Sequence, residues 1–329
     1  LVRSWYGAKS KDGKAQSLKE KFLKWYVNRH VEQLFSGKEF IDFNRPIKAP
    51  GYIRHTSTDV SKTIRMLETA QKPLLIIGSG AMMQPNKVNQ MVEAIESMGI
   101  PVYLSGMARG LLGKNHPLHM RHKRKEAIKD ADFIFLAGVP NDFRMDYGSH
   151  IGKRSFCSVN RSKEDLFRNK KPTISVWSDP MDFLIEIAQK YKRNHSEWIR
   201  HLAQRDEMRE SEINEKSKTQ DGLGLNPLSL FKKLDQHLSD DAILIADGGD
   251  FVATASYTLR ARKPLSWLDP GVYGTLGVGA GFALGAKLVY PDKDVWIIYG
   301  DGSAGYSLVE YDTFHRLGLP IISLIGNDA

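Results

Sequence analysis

Short, mostly apolar runs separated by helix-like segments limit the fold of this chain more than any other feature of its sequence. Such runs occupy residues 74–77, 133–139, 242–246, 295–299 and 321–325. They are too short for typical helices, and they lack the apolar–polar alternation of strands that face water on one side. Strands of this kind lie in parallel sheets that helices cover on both faces. The sequence therefore predicts an α/β fold with two doubly wound parallel-sheet domains.

The spacing of these runs divides the chain into four regions. They are a connector with one amphipathic helix at 1–55, an α/β domain at 56–192, a charged connector at 193–222 and a second α/β domain at 223–329. The helix is predicted because Leu18, Phe22 and Trp25 fall at helical spacing. The chain begins without Met and stops directly after an apolar run, so we expect a fragment whose second domain is truncated at its C-terminus.

Composition excludes several classes of protein. The chain has one cysteine, Cys157, which excludes an intrachain disulfide framework and a cysteine-built zinc site. No apolar run reaches the roughly 18–20 residues that a membrane helix needs. The net charge is +9, but residues 221–329 carry 8 basic and 13 acidic side chains. Because the positive charge is not concentrated where the glycine-rich motifs lie, we expect no nucleic acid partner.

Two polar clusters follow the last two predicted strands. Gly300-Asp301-Gly302 follows one strand, Asn327-Asp328 follows the next, and 24 residues lie between the clusters. In a parallel sheet both clusters lie at the carboxyl ends of strands, where α/β folds bind ligands. Oxygen-bearing side chains there can hold Mg²⁺ with phosphate oxygens, and a helix starting near Ser303 offers free N–H groups. Each cluster alone is typical of a tight turn, whereas the strand–helix–strand pairing favours a shared phosphate and magnesium site.

At these residues the sequence resembles the thiamine-diphosphate-dependent enzymes, a family that includes acetolactate synthases, 2-hydroxyacyl-CoA lyases and related decarboxylases. The glycine-rich residues 273–286 and the loop at 247–251 are similar to further cofactor segments of that family. Residues 106–113 and 267–271 resemble the acetolactate synthase-like branch known as 2-hydroxyacyl-CoA lyase 2. The resemblance implies that the first α/β domain is the family's middle domain and the second is most of its diphosphate-binding domain. The N-terminal pyrimidine-binding domain would be missing.

The resemblance also implies roles for individual residues. Asp301 would ligate Mg²⁺ together with Asn327 or Asp328, and Leu276 would hold the cofactor in its bent form. The implied cofactor-binding residues are Gly249, Asp250, Gly274, Thr275, Leu276, Gly300, Gly302, Ser303 and Ala304. The family's catalytic glutamate belongs to the missing domain, so the resemblance implies no catalytic residue within this chain. Gly281 stands where many members have proline.

For the full-length protein, the resemblance implies a thiamine-diphosphate- and Mg²⁺-dependent lyase that cleaves 2-hydroxyacyl-CoA to formyl-CoA and a shortened aldehyde, as in fatty acid α-oxidation. One alternative is an acetolactate synthase-type carboligase that acts on pyruvate, and another is a non-catalytic regulatory or scaffold homologue. The fragment alone is expected to be inactive. The resemblance further implies a homodimer or homotetramer with the active site between subunits. It also implies an endoplasmic reticulum membrane location through an anchor outside this chain; the alternatives are cytosol, mitochondrion or peroxisome.

Three further motifs allow more than one interpretation. Gly78-Ser79-Gly80 follows a strand, as in nucleotide sites, but relatives bind FAD, ADP or no nucleotide in this domain. The basic residues 120–125 are typical of a solvated helix start, and an anion-binding role, such as holding CoA, is the functional alternative. His116 and His119 are typical of a structured loop, with metal ligation as the alternative.

Overall fold

The computed structural model describes residues 18–35, 51–219 and 224–327. The chain forms two compact units, residues 1–52 and 53–329. Helix α1 (Leu18–Phe35) belongs to the first unit, and it lies where the sequence predicts an amphipathic helix. Asp328, one of the predicted metal ligands, lies outside the described residues.

Two parallel sheets make up the second unit. The first has six strands in the order β3-β2-β1-β4-β5-β6. They are β1 (Pro73–Ile77), β2 (Val102–Leu104), β3 (His119–Met120), β4 (Phe133–Ala137), β5 (Ser155–Asn160) and β6 (Ile174–Trp177). The associated helices are α2 (Ser57–Thr69), α3 (Val88–Met98), α4 (Arg124–Asp130), α5 (Lys163–Phe167) and α6 (Pro180–Lys190). The strand order reverses direction at the neighbours β1 and β4, as in doubly wound folds.

The second sheet has four strands in the order β10-β9-β7-β8. They are β7 (Ile243–Asp247), β8 (Trp267–Leu268), β9 (Val295–Gly300) and β10 (Ile322–Gly326). The accompanying helices are α7 (Ser196–Lys218), α8 (Pro227–His237), α9 (Asp250–Thr258), α10 (Gly279–Val289), α11 (Asp301–Gly305) and α12 (Glu310–Arg316). All the strand pairs in this sheet are parallel. The predicted α/β class with two parallel sheets is therefore confirmed.

Apolar strands are buried on both faces, as their composition predicts. In β1, Leu75 and Ile77 belong to one hydrophobic core, whereas Leu74 and Ile76 belong to the core on the opposite face. Leu244 and Ile245 of β7 divide in the same way between the two cores of the second sheet. Within the described residues, no helix is long and apolar enough to cross a membrane.

Local sequence sets the ends of several helices. Thr56 caps α2 through a capping box, in which its side chain accepts from the Asp59 N–H and the Asp59 carboxylate accepts from the Thr56 N–H. Gly99 ends α3 in the left-handed conformation with φ +59°, which glycine adopts without steric cost.

One sequence-based expectation differs from the structure. The helix predicted to start near Ser303 begins at Asp301 and is short: α11 ends at Gly305, and a separate helix, α12, begins at Glu310. Two glycines give α11 low helix propensity, and the turn after it is anchored by buried Ser307, whose Oγ lies 3.2 Å from Tyr299 Oη. The charged connector predicted at 193–222 contains α7, a 23-residue helix.

Candidate functional site

Strand order in the second sheet brings the two predicted polar clusters to one edge. Strand β9 pairs in parallel with β10, so that Gly300 lies opposite Gly326, and β7 pairs with β9 on its other side. The predicted adjacency of these strands is therefore confirmed. Asp301 and Asn327 directly follow the paired glycines, and Gly249 follows β7 at the same edge.

Asp247, at the end of β7, fixes the glycine-rich loop. Its carboxylate is fully buried and accepts hydrogen bonds from the Gly277 N–H (3.0 Å) and the Gly279 N–H (2.7 Å). Burial raises the pKa of this carboxyl, and the two N–H donors oppose that rise. A Cβ at Gly279 would lie 2.8 Å from Asp247 Oδ2, so the close approach requires glycine. The sequence placed Asp247 in a cofactor-like loop by resemblance but gave it no role, although an acidic residue that ends a buried apolar strand was a usable signal.

Leu276 lies at the tip of the same loop and packs on the turn after β7. Gly248 has φ +67°, and a Cβ there would lie 2.0 Å from Leu276 Cδ2. The Leu276 side chain therefore occupies space that only glycine leaves open. Because Leu276 is 42% exposed, part of the side chain still faces outward, where a bound molecule can rest on it. Gly274 and Thr275 are exposed beside it.

The start of α11 forms the second wall of the site. Gly302 is exposed with open space where a Cβ would be, whereas Ser303 and Ala304 are buried. The Ser303 hydroxyl donates to the Gly300 carbonyl at 3.0 Å. Ser303 therefore holds the turn between β9 and α11, and the groups available to a ligand are the backbone N–H groups of the first helical turn.

Oxygen donors and glycines at this edge fit a magnesium-bound diphosphate. The side chains of Asp301 and Asn327 are exposed and offer carboxylate and amide oxygens, which Mg²⁺ accepts while keeping water and phosphate ligands. In the described ranges no three His, Cys, Asp or Glu side chains form a metal-binding group, so a metal here would depend on the amide and on the diphosphate. Gly249 has φ +91° and lies beside Gly300, with its missing Cβ 3.7 Å from Gly300 Cα, and it thereby leaves room beside the exposed Asp250.

Gly78-Ser79-Gly80 lies at the carboxyl end of β1, beside a cleft of about 560 Å³. The two glycines have a packing function, because a Cβ at Gly78 would lie 2.8 Å from the Gly138 carbonyl oxygen and a Cβ at Gly80 would lie 3.0 Å from Gly138 Cα. Ser79 Oγ accepts from the Met107 N–H at 3.1 Å. A nucleotide such as FAD or ADP in this cleft stays a prediction.

The basic segment at 120–125 is not simply a solvated helix start. The Arg121 and His122 N–H groups donate to Asp206 at 2.6 and 2.9 Å, and the Arg121 guanidinium contacts Glu210 at 2.7 Å. This segment is therefore fixed to α7. His116 accepts the Leu118 N–H at 3.2 Å, as in a structured loop.

Two stretches of the sequence match described domains of one family. Residues 60–187 match "Thiamine pyrophosphate enzyme, central domain", and residues 247–329 match "Thiamine pyrophosphate enzyme, C-terminal TPP binding domain". The two matches together include more than half of the chain. The chain belongs to the thiamine pyrophosphate enzymes and contains the family's central and C-terminal domains.

Individual relatives indicate which members of this family the chain resembles in sequence. A protein of Danio rerio named 2-hydroxyacyl-CoA lyase 2 is 44% identical over 323 residues, which is 95% of this chain and 52% of that protein. A protein of the same name from Caenorhabditis elegans is 45% identical over 326 residues, 96% of this chain and 51% of that protein. The acetolactate synthase large subunit IlvG of Mycobacterium tuberculosis is 31% identical over 264 residues, 80% of this chain and 48% of that protein. The chain thus spans about half the length of these relatives, and the family resemblance predicted from its motifs is confirmed.

Proposed function

We propose that the edge formed by β7, β9 and β10 binds the diphosphate of thiamine diphosphate through Mg²⁺. The observation that carries this proposal is the parallel pairing of β9 with β10, with Asp301 and Asn327 following opposed glycines. Asp301 and Asn327, or Asp328 beyond the described residues, would hold the metal. The backbone at Gly302, Ser303 and Ala304 would lie along the diphosphate, and the loop at Gly274 and Thr275 would close over it.

Leu276 and Asp250 have further roles in this proposal. Leu276 would support the cofactor ring, since its side chain is fixed against Gly248 and partly faces outward. Asp250, exposed at the start of α9, would contribute a polar group beside the metal. Bound thiamine diphosphate supplies the carbon nucleophile for cleaving a C–C bond next to a carbonyl. The residues of this chain bind and orient that group, and the family's acidic residue lies outside them.

For the full-length protein we propose cleavage of a 2-hydroxyacyl-CoA to formyl-CoA and an aldehyde shortened by one carbon. The proposal rests on the two relatives named 2-hydroxyacyl-CoA lyase 2, which are 44% and 45% identical. Acetolactate formation from pyruvate is the second candidate, because the acetolactate synthase subunit is 31% identical. A non-catalytic homologue would retain the fold without turnover.

Assembly and location belong to the same proposal. Tyr273, Tyr306 and Val309 are 89%, 73% and 76% exposed beside the candidate site, and exposed apolar side chains in such a group mark interaction surfaces. A homodimer or homotetramer that covers them is the proposed assembly. An endoplasmic reticulum location is proposed from the branch resemblance alone. Light scattering of the full-length protein, and fractionation of cells that express it, test these two points.

Metal-dependent cofactor binding tests the site directly. In the full-length protein, Asp301→Ala and Asn327→Ala should each weaken Mg²⁺-dependent binding of thiamine diphosphate, by about 100-fold for Asp301→Ala, because a charged metal ligand is lost. Asp292→Asn is the control, since this exposed carboxylate precedes β9 at the opposite edge of the sheet. Equal binding by Asp301→Ala and the parent protein would refute the metal site.

Substrate assays then separate the candidate reactions. The parent protein, loaded with thiamine diphosphate and Mg²⁺, is incubated with a 2-hydroxyacyl-CoA or with pyruvate. Formyl-CoA and aldehyde in equal amounts are expected from the first substrate. Acetolactate without cleavage of the first substrate would favour the carboligase, and cofactor binding without either product would favour the non-catalytic homologue.

A further inference from the structure

A cationic cleft lies where the two sheets of the second unit meet. It has a volume of about 290 Å³ and is bordered by the ends of β2 and β3 on one side and by α9 and β8 on the other. No Asp or Glu lines it among the residues that the structure describes. Six cationic side chains do, namely Arg109, Lys114, Arg121, Arg124, Lys125 and Arg260.

Nearby carboxylates neutralise only part of this charge. Glu210 accepts from both Arg121 (2.7 Å) and Arg260 (3.2 Å). Asp235 lies 4.0 Å from Lys114 and is also bound by Arg262 at 2.9 Å. In the described part of the chain, no carboxylate lies within 4.0 Å of the charged groups of Arg109, Arg124 or Lys125. Asp269 and Asp142 act on Arg109 and Arg124 only from beyond salt-bridge distance. The cleft therefore has more positive charge than the carboxylates in direct contact compensate.

The Arg109 guanidinium is held in place while most of its N–H groups remain available to a ligand. Its Nη1 donates to the Ser256 carbonyl at 2.7 Å, and its guanidinium lies 5.3 Å from the centroid of the Trp267 ring. A guanidinium has five N–H donors, and the bond to Ser256 is the only one that the Arg109 side chain donates to the described residues. Burial lowers its pKa to about 10, so the group remains charged at neutral pH.

The positive charges of the cleft also lower the pKa of His119. It lies in β3 and lines the cleft. Burial, with the charges of Arg121 and Arg109, lowers its pKa to about 3. His119 is therefore neutral at pH 7, and its ring can contact a bound group without adding a seventh positive charge.

We propose that the cationic cleft binds the phosphate groups of a nucleotide. Guanidinium groups bind phosphate oxygens through paired N–H donors, and a phosphate would neutralise the three cations that have no carboxylate partner. The cleft also has apolar and aromatic lining, including Tyr257 and Leu259, suited to the ring portion of such a ligand. The nucleotide portion of an acyl-CoA and a free nucleotide share this chemistry. Assignment to acyl-CoA rests on the proposed function, whereas phosphate binding does not.

Calorimetric titration of the full-length protein tests the proposal. The protein is first saturated with thiamine diphosphate and Mg²⁺, so that the other phosphate site is filled, and is then titrated with CoA, ADP or pantetheine. CoA or ADP should bind, more weakly as salt is raised, and pantetheine, which lacks the nucleotide, should bind at least tenfold more weakly. CoA binding without ADP binding assigns the cleft to the substrate, and equal binding assigns it to a free nucleotide.

Charge-removing variants locate the binding. Lys125→Gln removes an exposed cation of the cleft and should weaken binding by about 3-fold. Arg109→Gln should weaken it by about 10-fold or more, since a charge-assisted hydrogen bond is lost, and Arg109→Lys should restore part of the affinity. Lys129→Gln is the matched control, because Lys129 is exposed on the same helix α4 but does not line the cleft.

Specific outcomes overturn the proposal. If pantetheine binds as tightly as CoA, or if Lys125→Gln and Arg109→Gln both bind like Lys129→Gln, the cleft is not a phosphate site. Unchanged thiamine diphosphate binding by the variants shows that they are folded. Loss of thiamine diphosphate binding in Asp301→Ala with unchanged CoA binding would separate the two sites.

Discussion

Asp247 is a residue whose importance comes from its backbone contacts. Removing the carboxylate by Asp247→Ala leaves the N–H groups of Gly277 and Gly279 without their acceptor, which should lower the free energy of unfolding by about 1–3 kcal/mol. The loop that presents Leu276 would lose its attachment, so thiamine diphosphate affinity should fall by about tenfold or more. Urea denaturation and cofactor titration measure the two effects. Asp240→Ala, an exposed residue at the other end of β7, should change neither.

Two glycines, one in the glycine-rich loop and one in the following helix α10, should respond in opposite ways to substitution by alanine. Gly277 has φ +83°, and a Cβ there would lie 2.6 Å from Tyr306 Cβ, so Gly277→Ala should reduce stability by about 1–3 kcal/mol and weaken cofactor binding. Gly281 lies in the first turn of α10 with open space around it. Gly281→Ala should therefore stabilise the protein by about 0.4–1 kcal/mol. Thermal denaturation of the two variants measures both effects. Equal changes in their melting temperatures would contradict the predicted difference in stability.

At the scale of elements, α7 is a packed helix within a region that the sequence marks only as charged. Trp198 is 5% exposed, and its Nε1 donates to the Pro73 carbonyl at the start of β1 at 3.0 Å. Trp198→Ala should therefore lower the free energy of unfolding by about 3–5 kcal/mol. Met208 is 69% exposed on the same helix, so Met208→Ala is the control. Similar denaturation midpoints for the two variants would show that α7 is only a connector.

The sequence predicts those helices and strands whose residue pattern is contained in one continuous segment. Strands such as β1 and β4 are visible because apolar residues follow one another without interruption. Strands β3 and β8 have two residues each, too few to produce a pattern. The apolar positions of α7 are sparse among charged residues, which concealed its packed face.

The same distinction explains the candidate sites. Asp301 and Asn327 were found because each follows a recognisable strand, and their metal-binding role stays a prediction. The role of the Asp247 side chain was missed because its partners lie 30 and 32 residues away. The sequence marked only the basic segment at 120–125, because the other cations of the cleft come from separate segments of the chain. Which of these cations are paired with carboxylates is decided only by folding.

At the scale of the whole second unit, the two sheets are joined by a polar junction around Arg121. Besides Glu210 of α7, its guanidinium donates to the carbonyls of Tyr257 (3.0 Å) and Leu259 (3.1 Å). These carbonyls lie at the C-terminal end of α9, where unpaired backbone acceptors attract cations. One side chain at the edge of the first sheet thereby holds both α7 and a helix of the second sheet.

Glu210 gives this junction a specific pH dependence. Burial opposes ionisation, but the hydrogen bond from His122 and the charges of Arg121 and Arg260 outweigh it and lower the pKa of Glu210 to about 2. An unfolded glutamate titrates near pH 4.3, so the stabilisation is complete above that pH and is lost as the pH falls toward 2. Glu210→Gln should therefore cost about 1–3 kcal/mol at pH 7, and the difference from the parent should shrink between pH 5 and pH 2.

Urea denaturation at several pH values measures this dependence. Glu212→Gln is the control, because Glu212 is exposed on the same helix and pairs with Arg209 rather than with the second sheet, and it should behave like the parent. A cost for Glu210→Gln that stays constant from pH 7 to pH 3 would mean that the ionised carboxylate does not stabilise the junction. Loss of the cost on acidification, in Glu210→Gln alone, would identify this ion-pair cluster as the electrostatic link between the sheets.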